Sequence, residues 1–158
     1  MELRDYLLKL EHNLILGGGR WVADFTESFW EHQVGDLTFD MVITGHMRAR
    51  GFLLSRFINW IAMPNYQAAC FVYSRDPELK RLGETLKAIK GFMEERELAW
   101  SWLVIPQKGA FSRKAKAVVE GEESQEMGIA LVDLSAQEIT SNRSYIGRRM
   151  PRFLKCFK

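Results

Sequence analysis

Apolar and polar positions alternate most regularly between residues 67 and 105 of this chain. Ala68 to Tyr73 is a short apolar run rich in strand-favouring residues, and the turn-forming residues Ser74 to Pro77 follow it. Leu98 to Ile105 is a second apolar run, closed by Pro106. Between the two runs, apolar residues recur at steps of three and four and predict one buried stripe on a long helix: Leu79, Leu82, Leu86, Ile89 and Met93. Strand, helix and strand together predict a βαβ crossover with parallel strands.

The start of this helix is also predicted from the sequence. Asp76 is placed to accept hydrogen bonds from the free amides of the first turn, as an N-cap residue does. Pro77 then takes the first helical position, where its missing N–H costs nothing, and Glu78 adds negative charge at the positive end of the helix dipole. We therefore expect the helix to begin at Pro77.

Weaker patterns on either side complete the predicted fold. They predict helices over residues 2–16 and 108–120, and strands over residues 36–44, 127–134 and 138–140. Residues 26–36 and 46–66 give no assignable pattern. The predicted fold class is α/β, with α+β as the alternative: a central mixed sheet with helices on both faces, in a single domain that spans residues 1–158.

Composition is typical of a soluble globular domain. The 158 residues are 47% apolar and 27% charged, without a repeat or a low-complexity stretch. No run reaches the roughly 18 apolar residues of a membrane span, and the acidic residues Glu2 and Asp5 argue against a signal peptide. Cys70 and Cys156 give neither a disulfide framework nor a metal-ligand spacing. We therefore expect a cytoplasmic protein without a resident metal, a cofactor or a membrane partner.

Charge is distributed unevenly along the chain, although the formal net charge is only +2. From Ile139 onward there are six arginines and lysines and no acid, which leaves 16 basic against 20 acidic residues before that point. Residues 143–158 are therefore predicted to form a basic C-terminal helix or tail. Clustered cations without acids are typical of surfaces that bind phosphate backbones. The candidate nucleic-acid-binding residues are Arg113, Lys114, Arg148, Arg149, Arg152 and Lys155.

The basic tail has two further interpretations. Solvated terminal helices often carry cations that offset an acidic body, without binding anything. Met150, Phe153, Leu154 and Phe157 recur at helical steps, so Phe153 and Phe157 would dock a terminal helix on its own domain or on a second subunit. A homo-oligomer is thus a second kind of partner, beside DNA or RNA.

Other chemistry-bearing residues have structural as well as functional interpretations. The three histidines are far apart in sequence and none has a metal-ligand spacing. Trp100 and Trp102 share one face of a predicted strand, which is typical of a sheet core and also suits a stacking platform. Asp133, late in a core strand, is either an active-site acid or the start of a turn.

Three of these segments resemble a known family in their order. The strand Ala68 to Arg75, the helical segment RDPELKRLGETLKAIKGF and the strand MGIALVDL are similar to consecutive elements of the restriction-endonuclease-like superfamily, whose nuclease signature is PD-(D/E)xK. The core of that family runs from a helix through strands bearing the catalytic Asp and the (D/E)xK to a crossover helix and further strands. The resemblance covers residues 36–134 and rests on element order.

The resemblance implies that the nuclease chemistry is largely missing. Tyr73 stands at the position of the family's acid and Arg75 at that of its lysine, while Asp40 or Asp36 would correspond to the first acid. Such nucleases hold a divalent ion with carboxylates to polarise the attacked phosphate. Tyrosine does not replace a carboxylate as a Mg²⁺ ligand at neutral pH. The site implied is inactive or rearranged, which favours a protein that is not an enzyme.

Three functions remain open from the sequence. The first is a nucleic-acid-binding module of restriction-endonuclease-like architecture without nuclease activity. The second is an α/β scaffold for homo-oligomer or protein–protein association. The third is a Mg²⁺-dependent hydrolase that uses Asp36 or Asp40 in a rearranged site.

Overall fold

The computed structural model describes residues 1–21, 23–46 and 67–157. Most of the unassigned segment 46–66 therefore lies outside the described residues. Residues 26–36, which gave no pattern in the sequence, belong for the most part to a long strand.

One six-stranded mixed sheet organises the described chain, and its strands lie in chain order. They are β1 Asp24–Val34, β2 Leu37–His46, β3 Gln67–Val72, β4 Leu98–Gln107, β5 Met127–Asp133 and β6 Glu138–Ser141. The pairs β1–β2, β2–β3 and β5–β6 are antiparallel, whereas β3–β4 and β4–β5 are parallel. The prediction of an α/β fold with a central mixed sheet is confirmed.

Four α-helices accompany the sheet in the described chain: α1 Leu3–Ile15, α2 Leu82–Arg96, α3 Arg113–Glu120 and α4 Pro151–Leu154. Two short 3₁₀ helices, Gly18–Trp21 and Gly147–Arg149, lie beside α1 and α4. None of the helices in the described ranges is long and apolar enough to cross a membrane.

The predicted βαβ crossover is confirmed, since β3 and β4 are parallel neighbours joined through α2. Leu82, Ile89 and Met93 of the predicted stripe are buried, while Leu79 and Leu86 pack against the same core from its margin. The stripe holds the helix on the sheet because burial of apolar surface outweighs the weak helix propensity of Gly83 and Gly91.

Both faces of the sheet are covered by apolar packing. Phe71, Leu103 and Ile129 belong to the core under α2 and α3, and the residues that alternate with them, such as Trp102 and Ala130, belong to the core under α1 and α4. This explains why β3 and β5 are continuous apolar runs in the sequence. It also leaves only the ends and margins of the sheet for polar chemistry.

The predicted start of α2 is wrong by five residues. Leu79 has a left-handed backbone with φ 58°, so the chain from Pro77 makes a separate turn before the helix begins at Leu82. The Asp76 carboxylate caps this turn and accepts from the amides of Lys80 at 3.0 Å and Arg81 at 2.6 Å. Asp76 therefore has the predicted chemistry but serves a turn instead of a helix.

Of the predicted basic C-terminal helix or tail, only a short part is helical. The 3₁₀ helix Gly147–Arg149 is followed by only four α-helical residues, and the backbone leaves the helix at Lys155, with ψ 65°. That bend lets both aromatic residues of the tail reach their own domain: Phe153 stacks on Trp102 with a centroid distance of 5.9 Å, and Phe157 stacks on Tyr6 at 6.0 Å. Of the two docking alternatives, the structure supports docking on the same chain.

Candidate functional site

Asp40 of β2 meets the residues that follow β3. The backbone N–H of Ser74 donates to Oδ2 of Asp40 at 2.6 Å, and Nε of Arg75 lies 3.8 Å from Oδ1. The meeting results from the antiparallel ladder, in which Met41 pairs with Val72 and brings the start of β2 beside the end of β3. Only 11% of the Asp40 side chain is exposed, so its charge is offset by a backbone amide and a guanidinium instead of by water.

Glu31 of β1 completes this group, which we call the carboxylate–arginine cluster: Glu31, Asp40 and Arg75. Glu31 lies opposite Asp40 in the β1–β2 ladder, and its carboxylate accepts from Nη2 of Arg75. The guanidinium therefore bridges the two carboxylates. The outer pair is in contact with water, since the side chains of Glu31 and Arg75 are 65% and 46% exposed, and such pairs contribute little to stability.

The alternation of side chains along β2 slips at Asp40. Phe39 packs with Val42 on the α2 face and Met41 packs with Ile43 on the α1 face, although residues 39 and 41 of a regular strand share a face. The residue opposite the slip, in β1, has a left-handed backbone with φ 48°. The irregularity turns the Asp40 carboxylate toward a cleft beside α1.

That cleft is open and has a volume of about 470 Å³. It is lined by Leu3, Arg4, Leu7, Leu8, Trp30, Glu31 and Asp40. Arg4 and the two carboxylates line the cleft, and Arg75 pairs with both carboxylates, so the two cations and two acids leave it without net positive charge. A phosphate group would gain no Coulombic attraction from such a surface.

The carboxylate–arginine cluster does not fit the divalent ion of the nuclease family. The Tyr73 ring packs 5.2 Å from that of Phe39, in the core under α2 and away from the cleft. Asp36 lies in the β1–β2 turn, four residues from Asp40 and so roughly 13 Å away along the strand. Arg75 already engages the two carboxylates that approach each other. In the described parts of the chain, no three His, Cys, Asp or Glu side chains lie close enough to hold a metal.

The predicted nucleic-acid-binding residues lie at two opposite ends of the sheet. Arg113 and Lys114 begin α3, which follows the C-terminal end of β4. Asn142 is bonded to the N-terminal part of β5, and Arg148 and Arg149 follow it closely. Because β4 and β5 are parallel, these two ends are opposite. The structure therefore brings Arg148 and Arg149 together but does not bring Arg113 and Lys114 to them.

Asn142 fixes the chain where it leaves β6. Its side chain is fully buried, accepts from the amide of Ile129 at 2.9 Å, and donates to the carbonyls of Met127 at 3.1 Å and Glu122 at 3.2 Å. A side chain at Gly147 would put its Cβ 1.9 Å from the Asn142 Oδ1, so only glycine fits there. Asn142 thus ties the following segment to β5 by two side-chain hydrogen bonds and to the loop before β5 by a third.

The anchored segment, residues 143–149, is called the basic loop below. The amide of Gly147 donates to the Ser144 Oγ at 3.0 Å, and Nε of Arg148 donates to the Arg143 carbonyl at 2.7 Å. The side chain of Tyr145 is 71% exposed. The Arg149 guanidinium carbon lies 4.2 Å from the centre of the Tyr145 ring, a cation–π contact. The loop therefore carries three exposed arginines around one exposed aromatic ring.

The remaining predicted cations of the tail lie on α4 and directly after it. Arg152 lies over the ring of Phe153 at 5.8 Å, and Lys155 follows the end of α4. Both are exposed. Their backbone is held by buried neighbours, since the Tyr6 hydroxyl donates to the Leu154 carbonyl at 3.2 Å. Burial raises the pKa of the Tyr6 phenol well above its usual value, so this donor keeps its proton.

Several cations elsewhere on the described surface are paired with acids. Lys108 donates to the Glu2 carboxylate, and this hydrogen bond together with the lysine charge lowers the pKa of Glu2. Arg81 likewise pairs with Glu84 at 2.7 Å. For the arginines of the basic loop, by contrast, the described residues show one ion pair. The carboxylate of Glu120, in α3, lies 3.5 Å from Nη2 of Arg143.

The structural interpretations of Trp102 and Asp133 are favoured. Trp102 is 1% exposed and packs against Phe25 and Phe153, so it belongs to the sheet core. The Asp133 carboxylate accepts from the amides of Ser135 at 2.8 Å and Ala136 at 3.0 Å, which makes it the start of the turn.

Sequence reasoning missed Glu31, Asn142 and Tyr145. Glu31 fell in the segment without a pattern, because β1 has few buried positions. The run Ser141-Asn142-Arg143-Ser144 before Gly147 did carry turn-forming residues close to arginines, and that signal was available in the sequence.

Neither a protein-family model nor a curated protein sequence matches this chain. Membership of the restriction-endonuclease-like superfamily, a nucleic-acid ligand and a cytoplasmic location therefore stay predictions.

Asp40 is expected to matter more for stability than Glu31, although both contact Arg75. Replacement of Asp40 by alanine leaves the Ser74 amide and Arg75 without this acceptor, so we expect a loss of about 1–3 kcal/mol in the free energy of unfolding. The matched variant Glu31→Ala removes only the exposed pair and should cost less than about 1 kcal/mol. Urea denaturation of both variants measures the difference. Equal losses would contradict the interpretation of Asp40 as the buried centre of the cluster.

Proposed function

We propose that this protein is a module of restriction-endonuclease-like architecture that binds nucleic acid without cleaving it. The observation that carries the proposal is the contrast between two polar sites. In the carboxylate–arginine cluster, Arg75 is paired with the carboxylates of Asp40 and Glu31. The basic loop instead presents exposed arginines to solvent, although Arg143 also contacts Glu120.

The architecture is supported by where the matching positions meet. The superfamily core places the first catalytic acid and the (D/E)xK on successive strands ahead of the crossover helix. Here Asp40 of β2 contacts Ser74 and Arg75 directly after β3, and α2 follows as the crossover helix. The long segment 46–66 separates these positions in the sequence. The resemblance requires them to meet in the fold, and they do.

The absence of cleavage is supported by the chemistry of the same cluster. A phosphodiester hydrolase needs carboxylates free to hold a cation that polarises the phosphate. The carboxylates of Asp40 and Glu31 instead neutralise Arg75, and Tyr73 is committed to the core under α2. Arg75 thus takes the place beside these carboxylates that a metal ion would occupy in a nuclease.

Nucleic-acid binding is supported by the charge and exposure of the C-terminal part of the chain. After Glu138 the sequence has no acid, and Arg143, Arg148 and Arg149 are exposed on a loop tied to the sheet. Exposed cations that neutralise phosphates release counterions, which drives binding without regard to sequence. A loop that is already ordered loses little conformational entropy when it binds.

We expect binding of mixed DNA or RNA fragments to weaken steeply as salt is raised. The double variant Arg148→Ala/Arg149→Ala should weaken binding about tenfold at roughly 50 mM salt. It should also reduce the slope of log affinity against log salt by about 2, because two phosphates are no longer neutralised. Fluorescence anisotropy titrations at several salt concentrations measure both quantities.

The matched control is Lys87→Ala/Lys90→Ala, which removes two cations from α2, on the other face of the sheet. It should leave the affinity and the slope close to those of the unaltered protein. A protein that binds neither DNA nor RNA at low salt, or a control as damaging as the loop variant, would overturn the proposal.

A Mg²⁺-dependent hydrolase is the second candidate, because Glu31 and Asp40 do bring two carboxylates together at an open cleft. A cation that bound only the folded protein would raise its stability, by about 2.7 kcal/mol at a hundredfold excess over its Kd. Because Arg75 occupies the carboxylates, we expect millimolar Mg²⁺ or Mn²⁺ to shift the melting temperature no more than an equal ionic strength of NaCl. A larger shift that Asp40→Ala abolishes would favour the hydrolase instead.

Association with another chain is the third candidate. It is favoured by Phe29 and Trp30, which are 41% and 40% exposed on β1, the first strand of the described sheet. Aromatic residues of this kind are enriched at protein interfaces. Sedimentation velocity over a wide range of protein concentration tests self-association, and a monomer throughout would remove that form of the candidate.

A further inference from the structure

We propose that Tyr145 is a stacking platform for one unpaired base, so that the basic loop binds single-stranded nucleic acid in preference to duplex. This inference rests on the proposed nucleic-acid binding and adds the class of ligand. Tyr145 is not among the residues that charge alone identifies.

The position of the ring carries the inference. At 71% exposure, Tyr145 is the most exposed large apolar or aromatic side chain in the described chain. The guanidinium of Arg149, 4.2 Å from the ring centre, covers one side of the ring. The ring therefore has one face held by a cation and the other face available to solvent. A base stacked on the open face would complete a three-layer stack.

The loop is held in place before any ligand arrives. Asn142 ties its start to β5, and the amide of Arg148 donates to the Ser144 carbonyl at 3.0 Å. Nε of Arg148 is fixed on the Arg143 carbonyl, which leaves the terminal nitrogens of that guanidinium for a phosphate. Arg149 contacts the Tyr145 ring and Arg148 precedes Arg149 in the same loop, so the proposed stacked base would have both arginines on hand for its flanking phosphates.

The ring distinguishes single strands from duplex. Bases of a duplex are stacked on one another, and exposing one costs a few kcal/mol. An unpaired base lacks this cost, and stacking on an aromatic side chain is worth about 1–3 kcal/mol per base irrespective of sequence. Phosphate contacts from the arginines are available to either form. The preference should therefore depend on Tyr145 and the overall affinity on the arginines.

An anionic membrane is a poorer match for the same surface. Apolar side chains that enter the lipid add much of the free energy with which a basic amphipathic segment binds a membrane. In the described part of the tail, Met150 and Leu154 are fully buried, and Phe153 and Phe157 pack on Trp102 and Tyr6. Apart from Tyr145, the basic loop offers no large exposed apolar side chain.

The test compares labelled oligothymidine of about 20 nucleotides with a duplex of the same length, using the full chain at two salt concentrations. We expect Tyr145→Ala to bind the single strand about 5- to 100-fold more weakly, in keeping with the loss of one stacked base. The salt slope should stay unchanged, since the arginines that neutralise phosphates are all retained. Tyr145→Phe keeps the ring and should bind within about twofold of the unaltered protein.

Two controls separate stacking from other effects. Phe29→Ala removes a partly exposed aromatic ring from β1 and should leave binding unchanged. Thermal melting of each variant tests whether it is folded. We expect each to remain folded, because the substituted side chains are exposed. Phosphatidylglycerol vesicles test the membrane directly, and we expect no binding to them at physiological ionic strength.

The outcomes distinguish this inference from the function on which it rests. If the protein binds nucleic acid in a salt-dependent manner but Tyr145→Ala binds the single strand normally, or weakens duplex and single strand equally, the stacking platform is wrong and the proposed function stands. If the protein binds no nucleic acid, or binds only the vesicles, both are overturned.

Discussion

Burial of the parallel strands β3, β4 and β5 on both faces determines where polar groups of this protein can lie. Helices α2 and α3 cover one face, while α1 and the C-terminal segment cover the other. Strands packed in this way have no open face on which a ligand can lie. Polar chemistry is therefore left to the margins of the sheet and the ends of these strands. The carboxylate–arginine cluster lies at the margin formed by β1, β2 and the end of β3, and the basic loop lies beside the start of β5.

The two ends differ in how they treat positive charge. At the C-terminal end of β3, Arg75 bridges the exposed Glu31 and Asp40, and the partial burial of Asp40 makes an unpaired carboxylate there unfavourable. At the N-terminal end of β5, the buried polar group is Asn142, a neutral amide that is satisfied by backbone groups alone. The arginines beside Asn142 therefore have no buried acid to neutralise. A neutral anchor leaves them available for an external anion.

The sequence predicted the central elements because local pattern and tertiary packing agree there. The stripe of Ile89 and its neighbours predicted the helix, and the flanking apolar runs predicted parallel strands. The start of α2 was not predictable in this way, since Leu79 adopts a left-handed backbone that its side chain does not favour. At the C-terminus, where the sequence left a helix or a tail open, the short helix ends at Lys155 and Phe157 packs on Tyr6.

The candidate sites were predicted to different extents for a similar reason. The resemblance assigned Arg75 and either Asp40 or Asp36 to one site, but the contact of Arg75 with Asp40 depends on the β2–β3 ladder, which no local pattern encodes. Glu31 joins them through a strand whose side chains are mostly exposed, so it left no apolar periodicity in the sequence. The distribution of charge likewise identified Arg148 and Arg149, but it did not predict the conformation of the loop that carries them. The proposed site depends on the loop that holds these arginines around Tyr145, and the buried Asn142 anchors that loop. Without such an anchor, holding an exposed ring against a guanidinium would cost conformational entropy. The ordered loop therefore supports a bound base more strongly than the charge of the arginines does.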